Sequence, residues 1–323
     1  MVVSIVLLVG IVSVTNMDTI LEDTNDIKAH KGLLGNKDDR PSAAQLFNKY
    51  GIAVELTGLY NNASCFLVAN GPSLNSINFD LLKQPGIMLM SLNNGPVTLL
   101  QKGIVPQFWT CVDSPDRFVM QIWNNPGILK FVPFAHIKAK LWDNETWSPA
   151  HKTVADCPSV LFYKRNEAFN SDSFFTEATF NWGRYNGARS VILPAFKLLY
   201  LLGFRTVYLL GVDLTMSSEY KYHFNEGRTV GAIKNNNNAY NTLIKEYFPA
   251  LKQVADTLNY SIFNCNIKSK VTCFPYKPFE EAVADSVKQC GPVEVIKSKG
   301  MYLELNVKSK LSRQAAEAAV DKV

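Results

Sequence analysis

The chain has 323 residues, 47% hydrophobic and 19% charged, with 18 Gly and 15 Pro. That composition excludes collagen-like, coiled-coil and wholly disordered chains and leaves one large α/β domain with appendages, or two small domains. Lys and Arg number 33 against 28 Asp and Glu, a net charge of +5 that neither demands nor excludes a nucleic-acid partner.

In chain order, Val2–Val14 comes first, thirteen residues without a charge. A membrane helix needs about 20 apolar residues, so no stable membrane span is expected here. A secretory signal needs a basic residue before the run and a small-residue cleavage site after it, and the first charge is Asp18. Three readings stay open: a true start at Met17, a weak signal anchor, or an N-terminal strand. Residues 1–42 are expected to be a flexible lead-in, residues 43–290 a single folded domain, and the Lys-rich residues 291–323 a peripheral tail. Glycosylation sequons at Asn62, Asn144 and Asn259 carry little weight without a signal peptide. Six Cys, at 65, 111, 157, 265, 273 and 290, form no CxxC pair and read as buried or half-buried free thiols of a reducing, cytoplasmic compartment.

Short apolar runs predict strands at Cys65–Ala69, Ile87–Met90, Phe108–Val112, Leu129–Pro133, Val160–Tyr163, Thr206–Leu210 and Ser261–Asn264. Helices are expected at Gly95–Lys102, at Ser190–Leu202, where Pro194 fits only near the start, and at Tyr240–Leu258. Alternating strands and helices predict an α/β, Rossmann-like, doubly wound and mainly parallel sheet covered on both faces. Leu214–Asn238 shows little periodicity and reads as a long lid-like loop or a disordered insertion.

Several groups could carry chemistry. Asn70-Gly71-Pro72-Ser73 directly follows a buried strand. Asn-Gly permits a left-handed backbone and close approach of a phosphate, and Ser73 can cap a helix whose N–H groups attract an anion. Asn93 and Asn94 follow the next strand, where they could read a base or ribose or simply cap a helix. Asp113 follows one strand, where a carboxylate could bind a metal or a sugar hydroxyl, and Asp213 follows a later one, where it could be a catalytic base in place of His223, a ligand-binding carboxylate or a loop cap. Gly187 and Ser190 head the buried helix, a second possible anion site. In the long loop, His223 is a candidate acid or base, Tyr220 and Tyr222 can donate to a leaving phosphate, and Lys221 or Arg228 can offset its charge. No Walker A loop, GxGxxG, GxSxG or HExxH occurs, which weighs against P-loop kinases, dinucleotide oxidoreductases and serine hydrolases. His136 and His151 have no ligand-spaced partner, so zinc is not expected.

Taken in order, FLVANGPSLNSINFDLL (66–82), SLNNGP (91–96), KGIVPQFWTCVD (102–113), GFRTVYLLGVDL (203–214) with YHF (222–224) after it, and YSIFNCNIKSKVTCFPY (260–276) resemble the 6-hydroxymethylpterin diphosphokinase MptE-like family, also called domain of unknown function 115. Flagellin-modifying glycosyltransferase-like proteins and many phage proteins belong to it. The first and fourth segments also resemble bacterial sialyltransferases that use CMP-sialic acid. The resemblance covers roughly residues 60–285 and implies a nucleotide held over the strand ends. It implies contacts from Asn70, the Gly71–Ser73 backbone and Asn93 to the nucleotide, with the Gly187–Ser190 turn near the donor. It departs at Thr215, where the sialyltransferases have Tyr, in having no His after His223, and at Pro106-Gln107, where Pro-Asp is usual.

The reading reached is a nucleotide-dependent transferase, with glycosyl transfer from a nucleotide-sugar donor preferred and the acceptor unknown. The alternatives are a Mg-dependent diphosphokinase using ATP, with Asp113 and Asp213 as metal ligands, and a non-catalytic, possibly phage-encoded, interaction protein that keeps the fold. No tightly bound cofactor is expected, and the oligomeric state is open.

Overall fold

The computed structural model describes residues 46–61, 63–143, 148–166, 168–183, 188–216 and 229–290. The apolar Val2–Val14 run, Met17, the sequons at Asn62 and Asn144 and the tail from 291 lie outside the described residues. In chain order the strands are β1 (Leu46–Phe47), β2 (Ala53–Val54), β3 (Ser64–Val68), β4 (Leu89–Leu92), β5 (Phe108–Thr110), β6 (Leu129–Pro133), β7 (Lys140–Asp143), β8 (Ser148–Thr153), β9 (Val160–Tyr163), β10 (Arg165–Asn166), β11 (Phe180–Asn181), β12 (Thr206–Leu210) and β13 (Ser261–Asn264). The α-helices are α1 (Gly95–Gln101), α2 (Met120–Trp123), α3 (Ile192–Leu202), α4 (Val230–Thr242), α5 (Phe248–Thr257) and α6 (Phe279–Cys290).

Side chains alternate across a strand, so a strand covered on both faces must be apolar at every position. In β3, Cys65 and Leu67 enter a core cluster with α3 and α5, while Phe66 and Val68 enter a second cluster with residues of α1 and α6. Strand β12 divides in the same way, Val207 and Leu209 to the first cluster and Tyr208 and Leu210 to the second. This is the physical content of the expected Rossmann-like α/β fold.

The main sheet runs β13-β12-β3-β4-β5-β6-β9-β1-β2. Its pairs are parallel from β13 through β9, and at the edge β1 runs antiparallel to both of its neighbours, β9 and β2. From β3 the chain builds outward through β4, β5, β6 and β9. It then returns through α3 to lay β12 on the other side of β3. The direction of winding therefore reverses between β3 and β12, and in open α/β sheets ligands bind in the crevice at that reversal, beyond the carboxyl ends of the strands.

Most expected elements stand within a residue or two of the sequence reading. Helix α3 begins at Ile192, so Pro194 lies in its first turn, and it ends at Gly203, whose φ of 101° suits glycine. The region Leu214–Asn238 departs from expectation, because its last part is helical. Asn235–Asn238 lie inside α4 despite a weak helix propensity. Asn237 stabilises them there by clamping the Met216 backbone, accepting from its N–H at 2.9 Å and donating to its carbonyl at 2.8 Å. Helix α4 continues through a π-turn, Leu243–Tyr247, into α5. The expected single helix is thus two, with the break just ahead of Pro249, which cannot supply a backbone N–H. Cys65, Cys111, Cys157, Cys265 and Cys273 are unbridged, the first three of them buried.

Lys130 in the middle of β6 is fully buried, and its ammonium donates to the carbonyls of Asn125 at 2.6 Å, Ile128 at 3.0 Å and Pro158 at 2.9 Å. Burial pulls its pKa down to about 7, against three carbonyls that favour the charged form. The unfolded chain keeps this proton up to the ordinary lysine range, near 10.5, so it binds more protons than the folded state between pH 7 and that limit. Stability should therefore rise with pH across this window, and Lys130→Met should flatten the rise. Urea midpoints of both proteins at pH 7 and pH 9.5 check this; parallel pH profiles would contradict it.

Candidate functional site

Two loops meet at the reversal between β3 and β12. The Gly71 N–H donates to the Gly211 carbonyl at 2.7 Å, continuing the β3–β12 pairing past the strand ends. Gly71 is extended, with φ −69° and ψ 151°, so the left-handed backbone anticipated for Asn-Gly is not what requires glycine here. Space requires it: a Cβ on Gly71 would run into the Gly211 carbonyl and lie 2.6 Å from the Asp213 carboxyl carbon.

The next residues form a five-residue 3₁₀ helix, Pro72–Ser76. Ser73 does not cap it, and its N–H is not open to an anion. Asp213 occupies that place. The buried Asp213 carboxylate accepts from the Ser73 N–H at 2.9 Å, the Ser73 hydroxyl at 2.5 Å and the Asn266 amide at 2.7 Å. Asn266 belongs to the loop after β13, which is pinned to the same place by the Ser269 hydroxyl donating to the Val212 carbonyl at 2.7 Å. One carboxylate thus ties together the loops after β3, β12 and β13. Sequence reasoning missed Asn266. The available signal was Asn264-Cys265-Asn266 at the carboxyl end of a predicted strand.

Beside this knot, on the β4 side, lie the three asparagines singled out earlier. The side-chain oxygens of Asn70, Asn93 and Asn94 are all buried and have no hydrogen-bond partner, and neither has the Thr98 hydroxyl on α1. Asn94 stands at the N-cap of α1 but its side chain makes no capping bond, so helix capping does not account for it. Asn93 has a φ of 51°, a left-handed conformation that asparagine tolerates better than most residues. Its carbonyl accepts from the Trp109 indole at 2.6 Å, which fixes the loop. Gly95 supplies room: a Cβ there would collide with the Ser91 hydroxyl and lie 3.1 Å from the Asn70 side-chain oxygen. Unpartnered buried polar groups are rare in folded proteins, and these oxygens, at the carboxyl edge of the sheet, form a cradle that can accept from a donor-rich group.

Asp113 lies apart from this cradle. It pairs at 3.6 Å with Arg117 on the surface. Strands β3 and β4 separate β5 from β12, so those two strands stand three spacings apart, about 14 Å. Each carboxylate has a partner of its own, Asp113 in Arg117 and Asp213 in Ser73 and Asn266. No group of three or more His, Cys, Asp or Glu suited to a metal occurs among the described residues. Ser190 sits two residues ahead of α3, where its hydroxyl accepts from the Ile192 N–H at 3.3 Å. Gly187, Tyr220, Lys221, Tyr222, His223 and Arg228 lie outside the described residues. The unusual Gln107 has a structural task, since its side-chain oxygen accepts from the Leu89 N–H at 2.7 Å at the start of β4.

The chain was compared with known proteins. No curated protein matches it. Among solved structures it is similar to the Maf glycosyltransferase of Magnetospirillum magneticum AMB-1, with 14% identity, a TM-score of 0.37 and 77% of this chain covered. The match spans 39% of that longer protein. It is also similar to the sialyltransferase CstII of Campylobacter jejuni, studied in complex with the substrate analogue cytidine-5'-monophosphate, with 17% identity and a TM-score of 0.36; the match covers 68% of this chain and 86% of that one. No helix among the described residues is long and apolar enough to cross a membrane. The family model described as 6-hydroxymethylpterin diphosphokinase MptE-like matches residues 41–219, which hold β3, the asparagine cradle and β12 through Asp213, and the chain belongs to that family.

Proposed function

We propose that the protein is a nucleotide-dependent transferase and that it transfers a glycosyl group from a nucleotide-sugar donor. The observation that carries this reading is the set of buried, unpartnered side-chain oxygens of Asn70, Asn93 and Asn94 beside the β3–β12 reversal. A buried acceptor without a donor costs about 1–3 kcal/mol, and a nucleoside brings hydroxyl and amino donors to relieve that cost. In the proposed reaction the bond from the anomeric carbon to the phosphate oxygen breaks and the nucleotide departs with the electron pair. The acceptor hydroxyl oxygen bonds to that carbon and gives up its proton. His223 is the proposed base, since the Asp213 oxygens are already engaged by Ser73 and Asn266. Tyr220 and Tyr222, with Lys221, are proposed to support the leaving nucleotide, and Gly187 and Ser190 to border the donor. Diphosphate transfer from ATP with Mg²⁺ is the weaker reading, because the Asp213 carboxylate is already engaged by Ser73 and Asn266 and Asp113 pairs with Arg117.

Thermal shift of the full chain with CMP, UDP, GDP and ATP, each with and without Mg²⁺, tests the proposal. Stabilisation by a nucleoside mono- or diphosphate without Mg²⁺ is expected, reaching about 2.7 kcal/mol at a hundredfold excess over Kd. Asn93→Ala should weaken that binding about tenfold. Stabilisation only by ATP with Mg²⁺ would favour diphosphate transfer, and no response to any nucleotide would overturn both enzyme readings.

A further inference from the structure

We propose that Asn237 is a positioning residue for nucleotide binding. By clamping the Met216 backbone it fixes the loop that leaves β12 at the edge of the crevice. This role rests on the nucleotide-dependent reading above.

The loop is short and tightly set. It begins at Asp213, whose carboxylate ties the loops after β3 and β13 to it. Leu214 then takes a φ of 46°, in the left-handed region that a bulky side chain rarely adopts. Such a conformation persists only where the surroundings over-determine it, and conformations of this kind cluster at active sites and ligand clamps. Both flanks supply the constraint here. Asp213 holds one side, and Leu214 itself packs, partly buried, against the core cluster of α3 and α5. On the other side Met216 is buried, and Asn237 grips it.

The Asn237 side-chain oxygen accepts from the Met216 N–H at 2.9 Å, and its amide nitrogen donates to the Met216 carbonyl at 2.8 Å. One side-chain amide thus satisfies both backbone groups of one residue, as a neighbouring strand would. The Asn236 amide adds a weaker contact to the Met216 sulfur at 3.4 Å. Asparagine has a short side chain, so the place of α4 is passed to the loop with little slack.

Helix stability does not call for this arrangement. Asparagine is a poor helix former, yet Asn235–Asn238 stand in a row in α4, and no residue of that helix is buried. The run weakens its own helix, while one of its amides holds a backbone 21 residues away. The gain lies in the loop. Strand β12 is one of the two strands at the winding reversal, and loops leaving such strands border the ligand crevice. Met216 also stands four residues ahead of Tyr220 and seven ahead of His223, which are proposed above to act on the leaving nucleotide and the acceptor proton. A loop fixed before the ligand arrives lowers the ordering cost of binding.

The test uses the full chain with carbon-13 in its methionine methyl groups, and Met216→Leu identifies the Met216 signal. CMP, UDP, GDP and ATP are titrated into wild type, Asn236→Ala, Asn237→Ala and Asn238→Ala. Alanine is the better helix former, so α4 is expected to form in all three variants. A nucleotide is expected to move the wild-type Met216 signal to saturation. Asn237→Ala should shift the Met216 signal of the free protein and weaken nucleotide binding at least about tenfold, with the melting temperature of Asn238→Ala retained. Asn236→Ala and Asn238→Ala should bind within about threefold of wild type. An unmoved Met216 signal in free Asn237→Ala, or wild-type affinity in that variant, would overturn the positioning role and leave the nucleotide reading standing. An equal loss in Asn238→Ala would overturn it too, since any change in α4 would then suffice. If no nucleotide binds wild type, the nucleotide reading and the positioning role fall together.

Discussion

Replacing Gly71 with alanine should cost about 3 kcal/mol of folding stability and abolish nucleotide-induced stabilisation. The new Cβ would press on the Gly211 carbonyl and the Asp213 carboxyl group. Neither can move freely. The Gly211 carbonyl accepts the Gly71 N–H, and the Asp213 oxygens hold Ser73 and Asn266. Relief requires the β3 and β12 loops to part, and that displaces Asn70, the residue beside Gly71. The effect is steric, since Gly71 has a φ open to any residue. Urea denaturation gives the stability and a nucleotide thermal shift reports the site. Gly71→Ala with wild-type stability would show that the two loops are looser than the contacts require.

Asp213→Asn should cost a similar amount, about 3 kcal/mol, although it changes only one atom type. The carboxylate accepts three hydrogen bonds from two directions in a buried place. An amide turns one oxygen into an NH₂ group that faces Ser73 or Asn266 donors, leaving buried donors opposed and unsatisfied. Ser73→Ala removes one of the bonds and should cost only about 1 kcal/mol. The comparison separates two roles for Asp213. If Asp213→Asn is strongly destabilised, the carboxylate is chiefly the tie between three loops. If it keeps wild-type stability and binds nucleotide but loses turnover, the carboxylate acts on the substrate instead.

Much of the sheet was legible because burial on both faces leaves a local mark. Val160–Tyr163, Leu129–Pro133, Thr206–Leu210 and Ser261–Asn264 match their strands residue for residue. Helix α4 was not legible, because its polar, Asn-rich segment has no buried residue to set a period, and contacts with Met216 hold it instead. The site divided in the same manner. Asn70, Asn93 and Asn94 could be picked out because each directly follows an apolar run, where a doubly wound sheet exposes its strand ends.

What those residues do was decided elsewhere in the chain. Ser73 and Asp213 are 140 residues apart in sequence, and their bond replaces the anion that the local motif suggested. Asn237 and Met216 share no spacing rule at all, and only the approach of α4 to the loop after β12 brings them together. The sequence by itself determined the parallel strands of the main sheet, the helix that ends at Gly203 and the composition of the strand-end loops, since these follow from local burial pattern and backbone preference, whereas the short strands β1, β2, β7, β8, β10 and β11 left no such mark. Only the tertiary structure decided which loop caps which, which buried amides stay without partners and which amide clamps a distant backbone, because those outcomes depend on the order of strands in the sheet, and that order is set by packing between segments far apart in the chain.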